Sequence, residues 1–107
     1  MVVQRTEVWL VNLDPTIGRE IGKSRPCVIL SPDEANRHLQ TVTAAPMTST
    51  IKPWPTRVDC SFDGRSGQIA IDQIRAIDKQ RLIKRIGQLD AGTIQRLFHT
   101  LDEYFRY

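Results

Sequence analysis

Short apolar runs alternate with polar, turn-rich intervals along most of the chain, and only the last stretch changes period. Glu7-Val8-Trp9-Leu10-Val11-Asn12-Leu13 is rich in β-branched and aromatic residues and predicts a first strand, ended by Asp14-Pro15. Cys27-Val28-Ile29-Leu30 is an unbroken apolar run and predicts a buried second strand. Ser31-Pro32-Asp33-Glu34 offers an N-cap, a proline at the first helical position and acids in the first turn, so a short helix is predicted there. Thr41 to Pro46 alternates and predicts a third strand; Thr56 to Phe62 predicts a fourth. Between them, Met47 to Pro55 reads as a polar loop closed by Pro53-Trp54-Pro55. Asp63-Gly64-Arg65-Ser66-Gly67 is a turn signal, with Asp-Gly its strongest part. In Gln68 to Ile77 the inward positions are Ile69, Ile71 and Ile74, and their change of register predicts a bulge near Asp72-Gln73. From Asp90 the period becomes 3.6. Ile94, Leu97, Phe98, Leu101, Tyr104 and Phe105 form one stripe, with Asp90 as N-cap. The pattern predicts a small, mostly antiparallel sheet covered by one terminal amphipathic helix.

Composition narrows this only slightly. A length of 107 residues makes one domain, 1–107, with room for a core. No apolar run is long enough to span a bilayer, and Met1 to Arg5 is no signal segment, so a cytoplasmic protein without a membrane partner is expected. The formal net charge of +3 leans toward an anionic partner. Cys27 and Cys60 are far apart within apolar strands and read as buried free thiols. No Cys/His cluster has zinc-ligand spacing, and neither a metal nor a cofactor is expected. Lys79 to Ile86 carries four cations; it reads as a solvated face around a short final strand, with a nucleic-acid contact as the sharper alternative.

The most informative stretch runs from Gly18 to Leu30. Its first half is flexible and charged, with Gly18, Arg19, Glu20, Gly22, Lys23 and Arg25; its second half is the apolar strand. Arg25 is therefore expected at the mouth of a rigid strand beside a mobile loop, which is a ready anion site.

At this point the chain resembles the MazF/PemK family of toxins. The resemblance is carried in order by Glu7 to Thr16, Gly18-Arg19-Glu20, Arg25-Pro26, Pro46-Met47-Thr48, Asp72-Gln73-Ile74-Arg75-Ala76-Ile77-Asp78 and Lys79-Gln80-Arg81-Leu82. It covers nearly the whole chain. It implies an α+β, mainly β fold: an SH3-like, partly open antiparallel β-barrel with short helices and a C-terminal amphipathic helix. It also implies a homodimer that cleaves single-stranded RNA at specific sequences without a metal. The expected inhibitor is a cognate antitoxin whose disordered C-terminal segment occupies the RNA groove. The alternative on the same fold is a gyrase-poisoning toxin of the CcdB kind. Those proteins end in Trp-Gly-Ile, whereas this chain ends Glu103-Tyr104-Phe105-Arg106-Tyr107.

Metal-free RNA cleavage uses the substrate's own 2′-hydroxyl as nucleophile. The site must help remove that proton, stabilise a phosphorane and protonate the leaving 5′-oxygen. Arg25 suits the middle task, because its planar fork holds two phosphate oxygens and stays charged. The resemblance assigns Arg25 and Thr48 as the catalytic pair. The general base is left open among Glu20, Asp72 and water. For Glu20 a structural role, or one of orienting Arg25, is the reading preferred to proton transfer. Asp72 matches an acid used by members that also carry an Arg two residues earlier and a His in the first loop; here those positions are Ala70 and Arg19. His38 and His99 read as surface histidines. Arg19, Gly22, Lys23, Ser49, Thr50, Lys52, Trp54 and Gln73 are the candidate RNA contacts, with Arg19, Lys23 and Lys52 expected to track the phosphates and Ser49, Thr50 and Gln73 to read base edges. Trp54 either stacks on an unpaired base or plugs a dimer or barrel edge.

Overall fold

The computed structural model describes residues 1–107. Seven strands, β1 (Glu7–Asn12), β2 (Ser24–Ile29), β3 (Thr41–Thr48), β4 (Arg57–Phe62), β5 (Arg65–Ala70), β6 (Arg75–Asp78) and β7 (Leu82–Gln88), form one antiparallel sheet. The order is β4-β5-β3-β2-β1-β7, with β6 also on β3. A short helix α1 (Asp33–His38) joins β2 to β3, and α2 (Ala91–Phe105) closes the chain. The ends of the order, β4 and β7, do not pair, so the barrel is partly open. There the Phe62 ring lies 2.6 Å from where a Cβ on Gly87 would stand. Only a glycine lets the two edges approach so closely.

β3 is the hub. Thr41 to Ala44 pairs with β6, Ala44 to Pro46 with β2, and Met47 and Thr48 with β5. Central strands buried on both faces should read as unbroken apolar runs. That is what β1 and β2 do. Val8, Val28 and Leu30 point into one core, together with Ala45, Met47, Val58, Ile69 and Leu97. The alternate residues Trp9, Val11, Cys27 and Ile29 enter a second core with Val42, Ile77 and Leu82. Helix α2 covers the first core through Leu97, with Ile94, Phe98 and Leu101 packed beside it. Asp90 caps it as predicted, its carboxylate accepting the Thr93 amide at 3.1 Å.

Some expectations need correction. β2 begins at Ser24, three residues before the apolar run, and β3 continues to Thr48, so Arg25 and Thr48 are both strand residues. Ser31 does not cap α1. Its hydroxyl donates to Asn36 Oδ1 and accepts the Thr43 amide, tying the helix to β3. The predicted bulge is a 3-10 turn over Ile71–Gln73. Asp63 and Gly64 have φ of 54° and 76°, the two positive values that a tight hairpin turn requires. Tyr104 and Phe105 lie beyond the sheet and are exposed, so the buried stripe stops at Leu101. The basic run is a solvated face only in part: Lys84 and Arg85 on β7 are exposed, but three of the four cations are bonded. Arg81 donates to the Asn12 and Asp14 carbonyls, Lys79 to the Asn36 carbonyl, and Arg85 to the buried Glu7 carboxylate at 2.8 Å.

Candidate active site

The site is built where β2 and β3 run side by side. Cys27 pairs with Pro46, and Arg25 on β2 and Thr48 on β3 each lie two residues beyond that pair, where β3 passes to β5. Both line a cleft of about 380 Å³ between the β1–β2 loop and the β3–β4 loop. Arg19, Glu20, Gly22, Thr50, Lys52, Trp54 and Gln73 line it as well. Lys23 and Ser49 lie outside it. Ser49 belongs to an adjoining cleft of about 370 Å³ that also contains Arg25 and Thr48. Lys23, at a φ of 65°, points its backbone N–H at Asp14 Oδ1 (2.9 Å).

Arg25 is half-buried. Its Nε donates to the Gly22 carbonyl at 3.0 Å, and neither terminal amino group has a protein acceptor. Two donors of a fixed fork are thus left facing the cleft. Thr48 is buried, and its Oγ1 accepts the Thr50 amide at 3.1 Å. A Cβ on Gly67 would meet the Thr48 carbonyl at 2.6 Å, so β5 passes close behind it.

The β1–β2 loop is held by three side chains. Asp14 Oδ1 accepts from the Lys23 amide and the Thr16 hydroxyl (3.3 Å), and a Cβ on Gly22 would strike both acceptor and hydroxyl at 2.6 Å. Gln73, a candidate base reader, uses its amide on this loop instead: Oε1 accepts from the Ile21 N–H (3.1 Å) and Nε2 donates to the Arg19 carbonyl (3.4 Å). Glu20 accepts the Ile17 amide at 2.7 Å and closes its own turn. No hydrogen bond or ion pair joins it to Arg25; its contact is the structural one within the loop.

Asp72 is committed elsewhere. Arg57 Nε and Nη2 donate to its two oxygens at 2.8 and 3.2 Å, and the Thr56 hydroxyl adds a bond of 2.9 Å. Burial opposes its ionisation, but the bonds from Arg57 and Thr56 outweigh it and hold the carboxyl below its usual range. An acid so held is a poor proton acceptor at neutral pH. His38 is exposed, and His99 pairs with Glu103 across a helical turn at 3.0 Å. Cys27 and Cys60 are buried and unpaired in a disulfide. Burial pushes the Cys27 thiol up to about 12 despite Arg75 and Arg25 nearby, and raises Cys60 as well. No three His, Cys, Asp or Glu side chains are grouped to hold a metal ion.

Three residues of this region were not singled out from sequence. Arg57 lies in the cleft wall, Asp14 gathers the first loop, and buried Gln68 pins the second. Gln68 exchanges bonds with the Lys52 backbone and donates to Asp59. A lone glutamine in an alternating strand carries no signal of that role. Asp14 did have one, an acid placed between a strand end and a proline.

A partly open antiparallel barrel under one helix, with a cleft between two loops lined by Arg19, Arg25, Lys52 and Arg57, defines a small barrel protein with a cationic groove. The chain matches the model of the PemK-like, MazF-like toxins of type II toxin–antitoxin systems over residues 4–105, and it belongs to that family. It is 36% identical to "Endoribonuclease EndoA" of Bacillus subtilis, over 94% of this chain and 92% of that one. Its fold is similar to a crystal structure of MazF from Deinococcus radiodurans, with a TM-score of 0.87 and 26% identity over 100% of this chain and 99% of the other. A MazE–MazF structure from the same organism matches with a TM-score of 0.79 and 26% identity, covering 97% and 96%. No helix here is long and apolar enough to cross a membrane.

Proposed function

We propose that the chain is an endoribonuclease toxin that cleaves single-stranded RNA, messenger RNA above all, in the cytoplasm. The activity is supported by relatives named as endoribonucleases at 30–36% identity over most of the chain. The observation that carries the mechanism is Arg25, with both terminal amino groups free, lining one cationic cleft together with Thr48. In this reading the 2′-oxygen attacks the adjacent phosphorus, and Arg25 and Thr48 stabilise the negative charge of the phosphorane. The 5′-oxygen leaves with a proton, giving a 2′,3′-cyclic phosphate and a 5′-hydroxyl. Asp72 is tied to Arg57, so proton transfer falls to water or to Glu20 once its turn opens. Arg19 and Lys52 attract the backbone phosphates. No metal enters the scheme.

A homodimer is supported by the adjoining cleft. It shares Arg25 and Thr48, and its wall mixes Pro26, Met47, Phe62 and Ile86 with Asp63, Arg65 and Ser66, a face proposed here for a second copy. The cognate antitoxin is expected to lay an acidic, extended segment over the same cationic groove, as a MazE partner is paired with MazF in the Deinococcus radiodurans complex. The gyrase-poisoning alternative is not favoured, since the relatives are named endoribonucleases.

The test is to incubate purified protein with a long RNA in EDTA and sequence the new ends. Cuts at one short recurring sequence, with cyclic phosphate and 5′-hydroxyl termini, are expected. Intact RNA, or cutting only when a divalent metal is restored, would refute the mechanism.

A further inference from the structure

The β3–β4 loop presents a group that the cleavage chemistry does not use. Trp54 is 47% exposed at the edge of the cleft that holds Arg25. Pro53 and Pro55 flank it and restrict the backbone on both sides. The Arg57 guanidinium lies 4.7 Å from its ring centroid, and the Arg57 backbone N–H donates to the Trp54 carbonyl at 3.1 Å. Arg57 cannot swing away. Its side chain is only 6% exposed, and its fork is fixed at both prongs by Asp72, which in turn accepts from Thr56. Three segments therefore clamp one indole: the loop, the start of β4 and the 3-10 turn. An exposed tryptophan held this way is already oriented for a flat partner, and little ordering remains to be done on binding.

We propose that Trp54 is a stacking platform for one unpaired RNA base, and that Arg57 and Asp72 are positioning residues that fix its plane. This rests on the RNA reading above. The identity of the partner follows from charge. Asp72 neutralises the Arg57 guanidinium, so this corner offers a π-face rather than a phosphate clamp. Lys52 Nζ also lies over this ring, 5.5 Å from its centroid, so a stacking base displaces the ammonium toward the neighbouring phosphate. Stacking accepts any base, so the platform raises affinity without setting the recognition sequence.

The test uses a single-stranded RNA spanning the mapped cut site, made uncleavable by a 2′-deoxy residue at the scissile nucleotide. In a Trp9→Phe background Trp54 is the sole tryptophan emitter. Its emission should be quenched on titration. Trp54→Ala should weaken binding about tenfold and Trp54→Phe much less. An abasic residue at one position should cost the parent about tenfold and cost Trp54→Ala nothing. Asp72→Asn should lower quenching and affinity while the cleavage rate of the normal RNA at saturation is kept. Trp54 emission unchanged while that RNA is bound, or an abasic penalty that is the same in parent and Trp54→Ala at every position, would overturn the platform. RNA that is never cut would instead sink the proposed activity, so the two failures are distinct.

Discussion

The two walls of the cleft use an arginine in opposite ways. On the β2 side, Arg25 makes one bond through Nε and leaves its terminal donors free. On the β4 side, Arg57 is buried, forked onto Asp72 and stacked on Trp54. Both are guanidinium groups lining one cavity. The first has its charge available to a ligand; the second has its charge consumed by the protein. Placement in a cleft does not by itself make a cation a phosphate ligand. What decides is how many of its donors the fold has already satisfied.

That contrast can be broken at several points. The largest effect is expected at Arg25. Arg25→Ala removes donors aimed at developing charge, worth about 3 kcal/mol of barrier, so cleavage should fall by about a hundredfold or more. Circular dichroism and the melting temperature should stay near the parent's, because Arg25 is partly solvated. On the other wall the loss should appear in stability. Asp72→Ala leaves a buried guanidinium without its partner, at a cost of about 3 kcal/mol, or about 15 °C in Tm. The pH sign follows from the lowered carboxyl. The ion pair's contribution is complete above the ordinary carboxylate range and is lost only as pH falls through and below that range. Thermal melts from pH 8 to 5 should therefore show no loss attributable to this pair.

Smaller effects follow. Thr48→Ala deletes one hydroxyl and should slow cleavage about tenfold, with Thr48→Ser restoring most of it. The least change is expected at the thiols. With Cys27 pushed up to about 12 and Cys60 also raised, neither is a nucleophile at neutral pH. Ellman's reagent should find both thiols silent in native protein at pH 7.5 and reactive in guanidinium chloride.

The strands, the tight turn at Asp63-Gly64 and the capped terminal helix were legible because each is set by neighbours in sequence. Legibility fell where distant residues decide. Thr48 looked like the start of a loop, since nothing in Thr-Ser-Thr announces the β5 partner that keeps it in a ladder. Tyr104 and Phe105 fit the helical stripe, but the sheet ends before the helix does. The cleft shows the same division. Arg25 was conspicuous as a cation beside a glycine-bounded loop. Arg57 was not, because its meaning comes from Asp72, fifteen positions along, and from Trp54 across a turn. Gln73 was assigned to bases when its amide already serves the loop.

The division of labour between the walls has one direct measurement: single-turnover cleavage and RNA affinity of Arg25→Ala and Trp54→Ala, side by side on the mapped RNA. Arg25→Ala should lose about a hundredfold or more in rate at saturating protein while still binding. Trp54→Ala should bind about tenfold more weakly and, once saturated, cut at the parent's rate. Cutting by Arg25→Ala at the parent's rate, or a Trp54→Ala rate at saturation as low as that of Arg25→Ala, would contradict the assignment of chemistry to one wall and binding to the other.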